Sequence, residues 1–374
     1  MRHIRIIIAL IINFIIFGVS LTIIGATLPK IIKDFNWSYI ATGIVLSAGS
    51  IGYFVSSFIS GILLHRLGPK LVIVIGLGLQ FIGLMFFAST PFVWLNMILN
   101  LMIGFGQGGT EVVVNYSVVR IEQGGKSRLM NLMHSAFSVG AVVGPYLVIV
   151  LMQSGLGWQM IYRMMSVISL IMVGVFLTIP FSHITKDDDN KGKKTGVGKL
   201  LKDPVLILSF LILFVYVGSE LGVSNWISEF YVKYFNASDE TGASMVSIFW
   251  IGLLIGRLGT SFFYKGARPA LVALGLAGLC TVALLFALFM KHPVISGFGF
   301  AVAGLGYSAI YPLIMALVGR YFSTAQGAAV GFSATGGGIG AFVFPFIMSA
   351  ISESFGIRSE EHTSELQSQF HLVC

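Results

Sequence analysis

The chain has 374 residues, 56% of them hydrophobic and only 10% charged, with a mean hydropathy of +0.91. Soluble domains carry about 25% charged residues, so the composition excludes a soluble globular protein and specifies an all-α, polytopic membrane protein. A formal net charge of +8 would suggest nucleic acid as a partner for a soluble chain; here basic loops that orient the protein in the lipid bilayer account for it, and no nucleic acid is expected.

In chain order, Arg2, His3 and Arg5 precede an apolar run from Ile6 to Leu28. The run is too long for a signal-peptide core, and no small-residue cleavage site follows it. It reads as the first of about eleven spans, because ~20 apolar residues cross the hydrocarbon. The others are expected near 38–63, 70–89, 92–119, 129–152, 158–181, 205–228, 241–263, 269–290, 294–320 and 325–352. This divides the chain into an N-terminal six-helix bundle over 1–181, a polar central loop over 182–203 and a C-terminal bundle of five helices over 204–357. The loop, SHITKDDDNKGKKTGVGKLLKD, reads as a solvated linker, with lipid-headgroup contact through its lysines as the alternative.

Charge placement sets the expected topology. Arg66, Lys70, Arg120, Lys126, Arg128, Lys265, Arg268, Arg320 and the lysines of the central loop fall on the side of the N-terminus. Lys30, Lys33, Arg163, Lys233 and Lys291 fall on the other. The excess makes the N-terminus cytoplasmic, and the short loops suggest a bacterial inner membrane.

Several polar residues interrupt the apolar runs. Gln107, Glu111 and Asn115 lie in the fourth span, Asn131 and His134 in the fifth, and Glu220, Asn225 and Trp226 in the seventh. An ionisable side chain within a span costs roughly 2.5–3.5 kcal/mol on insertion scales, so it faces a cavity or a partner and marks a pathway. Glu111 and Asn115 are one helical turn apart on one face, with Gln107 one turn before them. A carboxyl in a cavity whose hydration alternates can bind a proton on one side and release it on the other, which makes Glu111 the first candidate for proton coupling. Glu220 is its rival, and His134 could share or tune the proton. Asn131, Asn225 and the ring of Trp226 suit a carbohydrate, whose hydroxyls pair with amides and whose face stacks on an aromatic ring.

The two halves repeat. Gly52, Pro69, Gly104 and Gly106 are answered by Gly252, Pro269, Gly304 and Gly306, and Gly140-x-x-x-Gly144 by Gly336-x-x-x-Gly340. Parallel halves of this kind place a binding site at their interface near the midplane and work by rocking one half against the other. Tyr311, which repeats Glu111, is expected to line that site. Gly140, Gly144 and Pro145 read as a helix-packing hinge.

The loop Gly61-Ile-Leu-Leu-His65-Arg66-Leu-Gly68-Pro69-Lys70 resembles the signature between the second and third spans of the major facilitator superfamily, with His65 where that loop usually carries an aspartate. Within that superfamily, Gly-Gly-Thr-Glu111-x-x-x-Asn115, Asn131-x-x-His134-x-x-Phe137-x-x-Gly140 and Tyr216-Val-Gly-Ser-Glu220, followed by Asn225-Trp226, are similar to the fucose and glucose/galactose proton-symporter branch. The first span lacks the aspartate some of those members carry, offering Asn13. The resemblance implies a major facilitator fold and a secondary transporter, acting as a monomer, that couples protons to a sugar or similar small solute. It also implies conformational roles for Gly61, His65, Arg66 and Gly68; Arg257, near the inner end of the eighth span, is expected at a gate or headgroup contact. The alternatives are a proton-driven exporter of a drug or metabolite and a membrane sensor of the same fold that does not transport.

Other chemistry is not legible. Cys280 and Cys374 make no disulfide or metal framework, and there is no phosphate loop, zinc spacing or serine elbow, so neither an enzyme nor a cofactor is expected. Residues 358–374, RSEEHTSELQSQFHLVC, resemble translated sequencing adapter; on that reading they stand outside the fold and a twelfth span is missing.

Overall fold

The structure, a computed structural model, describes residues 4–121, 128–181, 203–264, 268–322 and 326–355. Residues 182–202 of the central loop and the adapter-like tail lie outside these residues. Among the described residues the regular elements are helices: α1 (Ile4–Phe35), α2 (Tyr39–Phe86), α3 (Val93–Ile121), α4 (Arg128–Gln153), α5 (Met160–Thr178), α6 (Pro204–Tyr234), α7 (Asp239–Phe263), α8 (Pro269–Phe289), α9 (Pro293–Tyr307), α10 (Ile310–Tyr321) and α11 (Gln326–Phe355). Eleven segments among them are long and apolar enough to cross a membrane, the number expected from the apolar runs.

Two features depart from those runs. α2 carries both the second and third spans and breaks at Gly68, whose φ of 75° and ψ of 161° are non-helical. Glycine alone adopts this geometry without strain, and Pro69 begins the next segment with its φ already fixed. The tenth span, expected as one run, is split into α9 and α10. Pro312 explains the split: it has no N–H to offer the carbonyl of Ser308 one turn earlier. That carbonyl instead accepts from Arg257 Nε at 3.3 Å.

α1 packs on α4, and α2 on α3 and α5, while α6 packs on α11 and α9 joins α7 to α8. Between these two groups, α2 meets α11, α4 meets α7, and α1 meets α6 and α7. The glycine repeat marks equivalent contacts. A Cβ on Gly104 would strike the carbonyl of Gly49, and one on Gly304 the carbonyl of Phe249, so both members of the pair shift by the same 200 residues (304 − 104 and 249 − 49). Gly52 meets the carbonyl of Leu101, and Gly252 that of Ala301, with the same shift. Small residues let membrane helices approach to backbone contact, where packing rather than hydrophobic expulsion holds them together.

Candidate functional site: a cavity between the two halves

A cavity of about 550 Å³ lies between the two groups of helices, walled by α1–α5 on one side and by α6, α7, α10 and α11 on the other. The first wall is organised on α3. Gly104 and Gly108 bring α3 against the backbone of α2 at Gly49 and Tyr53, and this contact carries the Tyr53 side chain to Glu111. The Tyr53 hydroxyl donates a hydrogen bond to the Glu111 carboxylate, and Asn115 Nδ2 stands 3.5 Å from its other oxygen. Asn115 Oδ1 is buried without a hydrogen-bond partner among the described residues. Gln107, 5% exposed, lies one turn before Glu111 and also lines the cavity.

The opposite wall holds a charged pair. Glu220 on α6 is 7% exposed, and its Oε1 has no hydrogen-bond partner among the described residues. The nearest cation is Arg257, whose Nη2 lies 3.9 Å away. Arg257 also donates from Nη1 to Ser138 Oγ on α4 at 2.8 Å, so the guanidinium crosses from one half to the other. Its position is therefore interior, and the headgroup contact expected from the sequence is replaced by bonds to Ser138 and Ser308. The freed carbonyl above Pro312 is one of the groups that fix it there.

An aromatic belt closes the side of the cavity between the charged walls. Phe14 meets His134 edge-on at 5.9 Å, Phe17 meets Phe137 at 5.0 Å, and Phe137 meets Trp250 of the other half at 5.8 Å. Trp250 is held by its own bond, Nε1 donating to Ser224 Oγ at 2.8 Å. Tyr311 sits 6.4 Å from the ring of Tyr216, and both line the cavity.

The structure thus brings Gln107, Glu111, Asn115, His134, Glu220, Asn225, Arg257 and Tyr311 to one cavity. Trp226 is the exception. It is not among the cavity's lining residues; it packs with Leu28 and Leu46 at one end of the interface. The helical step explains the displacement, since Trp226 is adjacent in sequence to Asn225 and so points about 100° away from it. Gly140 and Gly144 press α4 onto α1 at Ile15 and Val19, and Pro145 lies inside α4. Arg66 is exposed beside the break at Gly68, and a Cβ on Gly61 would meet open space. The side chains of His65 and Asn131 lie outside the described residues. Tyr53, Ser138 and Ser308 were not singled out from the sequence. A lone tyrosine in an apolar run was a signal for the first; the two serines depend on which helices meet. No group of three or more His, Cys, Asp or Glu among the described residues could hold a metal ion.

Comparison with known proteins agrees with this architecture. Bypass of stop codon protein 6 of Saccharomyces cerevisiae is 24% identical over 392 residues, covering 94% of this chain and 78% of that protein. A TsgA homolog of Buchnera aphidicola is 24% identical over 352 residues, covering 93% of this chain and 88% of its own length. Among solved structures, a mutant of the nucleoside transporter NupG superposes with a TM-score of 0.80 at 16% identity, covering 100% of this chain and 98% of that one. A D-xylose-proton symporter superposes with a TM-score of 0.72 at 14% identity, covering 96% and 90%. Residues 10–345 match the family described as Major Facilitator Superfamily, and with its paired helical halves around a shared cavity this chain belongs to that family.

Proposed function

We propose that this protein is a proton-coupled secondary transporter for a small polyhydroxylated solute, a sugar or a close relative of one. The observation that carries the reading is the pair of carboxyls on facing walls of the cavity between the halves. Glu111 has only neutral partners, Tyr53 and Asn115; Glu220 has a cation, Arg257, beside it. An isolated buried charge is costly, whereas a paired one is tolerated. Glu111 is therefore the carboxyl whose charge must be removed for the cavity to close around a neutral solute, and a proton does this. Glu220 stays the counter-ion of Arg257, while Asn115 Oδ1 and Glu220 Oε1 offer acceptors to hydroxyl donors. His134 lines the same cavity beside Phe14, and on this reading it tunes the proton site. The likeness in fold to a D-xylose-proton symporter and the sequence likeness to the fucose and glucose/galactose branch support the reading.

The test is uptake of radiolabelled sugars into proteoliposomes under an inward proton gradient, comparing the native protein with Glu111→Gln. Gradient-driven accumulation that disappears in the variant, while exchange of sugar across the membrane survives, supports the assignment. Uptake unaffected by the substitution moves the coupling role to Glu220. A second reading, a proton-driven exporter of an apolar metabolite, is favoured by the phenylalanine-rich belt of Phe14, Phe17 and Phe137. It predicts no sugar uptake by either protein and accumulation of an apolar substrate in inverted vesicles.

A further inference from the structure

At one end of the interface the two halves are tied together. This is the end where α1 stops and α2 starts, and where α6 and α11 stop and α7 starts. Lys30 Nζ lies 2.9 Å from Asp239 Oδ2, and the Tyr39 hydroxyl donates to Glu229 Oε1 at 3.1 Å. Beneath these links the Trp226 ring stands 5.5 Å from that of Tyr39 in an apolar plug with Leu28 and Leu46. The cavity described above extends away from this plug, as far as Phe58 on α2 and Gly331 on α11.

A third link is of a different kind. Glu353, near the end of α11, accepts at Oε2 from the backbone amides of Tyr39 at 2.7 Å and Ile40 at 3.3 Å. These are the first two amides of α2, and a helix leaves its first four N–H groups without intrahelical partners. A carboxylate is favoured there both by the hydrogen bonds and by the helix dipole. The local cap is already in place: Ser38 Oγ accepts from the Ala41 amide at 3.1 Å. The N-terminus of α2 is therefore capped twice, once from its own half and once from the other. In all three links the first half supplies the donor and the second half the carboxylate.

We propose that Glu353 is a proton-binding gate residue: as a carboxylate it caps α2 from the opposite half and holds this end closed, and on taking a proton it releases it. A neutral carboxyl keeps no charge for the helix dipole to attract, and α2 does not unravel on release because Ser38 remains. The other charged groups at this end are Lys30, Lys33 and Asp34 on α1, Glu229 and Lys233 on α6, and Asp239 and Glu240 on α7. Lys30 is committed to Asp239, and Glu229 to the Tyr39 hydroxyl. Acid weakens those two links in the same direction as it weakens the cap. The amides of α2, however, are held by Glu353. Opening of this end is thereby favoured when it faces an acidic compartment.

The test needs no substrate, so its failure would leave the transport reading standing. Spin labels are placed at Ser154→Cys and His292→Cys, both exposed and on opposite halves at this end, in the 374-residue protein with Cys280 and Cys374 replaced by serine. Pulsed EPR in lipid nanodiscs reads the distance from about pH 7.5 to about pH 3, a range that spans the ordinary carboxyl titration. The ratio of the short to the long distance is expected to fall by about two- to fivefold on acidification, the scale of an exposed carboxylate–dipole contact. Glu353→Gln is expected to start from the long-distance distribution at the higher pH and respond little, and Ser38→Ala to behave as native. A Glu229→Gln/Asp239→Asn variant keeps Glu353 and is expected to keep the pH response. Glu353→Gln indistinguishable from native at both pH values overturns the proposal. So does a native protein that acid does not move, or a response lost in the variant that retains Glu353.

Discussion

Tyr53 on α2 donates its hydroxyl to the carboxylate of Glu111 on α3, and the contact exists because Gly104 and Gly108 let those helices touch. The bond is formed within one half, so rocking of the halves does not by itself break it. The charge-assisted bond of such a pair contributes about 1.5–3 kcal/mol. Tyr53→Phe keeps the ring and removes the donor. Gradient-driven accumulation in proteoliposomes is expected to fall by roughly tenfold or more, with counterflow exchange preserved. Loss of both together would show that Tyr53 holds the solute rather than the proton site.

The repeated glycine contacts make a second prediction. Gly104→Ala sets a Cβ against the carbonyl of Gly49, and Gly304→Ala sets one against that of Phe249. In both cases the obstructing atom is backbone, so relief requires the helices to move apart. Each variant is expected to lose about 1–3 kcal/mol, read as a lower melting temperature in detergent. Because the two contacts are related by the internal repeat, the losses should be similar. Gly275→Ala, where a Cβ meets open space, should be neutral.

Much of this architecture was readable in the chain itself, for physical reasons that also explain what was not. A span is a local property, since backbone hydrogen bonding in lipid must be satisfied within the segment, and so the eleven apolar runs map onto helices. Glu111 and Asn115 were legible together because a helix places residues four apart on one face. Trp226 was read onto the wrong surface because its neighbour Asn225 does line the cavity, and a single step along a helix turns the side chain by about 100°. Arg257 was expected at a gate or a headgroup contact; its bond to the Ser308 carbonyl was not legible, because the sequence does not reveal that Pro312 leaves that carbonyl for it. Its bond to Ser138, on a helix more than 100 residues earlier, depends on packing between halves, to which no local pattern corresponds.

The Glu220–Arg257 pair supports a third prediction. Removing either charge leaves the other buried beside a neutral group, at a cost of about 3 kcal/mol, and part of that cost is screened because Arg257 is partly exposed. Glu220→Gln and Arg257→Gln are each expected to lower thermal stability more than the double variant does relative to either single. A double-mutant cycle in detergent should give a coupling of about 1–3 kcal/mol. Strict additivity would show that the 3.9 Å separation leaves the two groups energetically independent.

The two tryptophans of the interface separate substrate contact from gating. Trp226 is buried in the plug with Leu28 and Leu46, and its Nε1 has no hydrogen-bond partner among the described residues. Trp226→Phe therefore removes a buried donor that makes no bond, and it alters only the closed end. Trp250 lines the cavity, meets Phe137 across the halves and donates to Ser224. Trp250→Phe leaves that serine oxygen without its donor, at about 1–3 kcal/mol, and reshapes the wall that faces the solute. Transport kinetics in proteoliposomes should show KM unchanged within about twofold for Trp226→Phe and raised by about tenfold for Trp250→Phe, the size of effect that one lost buried bond produces. If the larger change in KM falls instead on Trp226, the solute reaches the plug, and the closed end is part of the binding site rather than its lid.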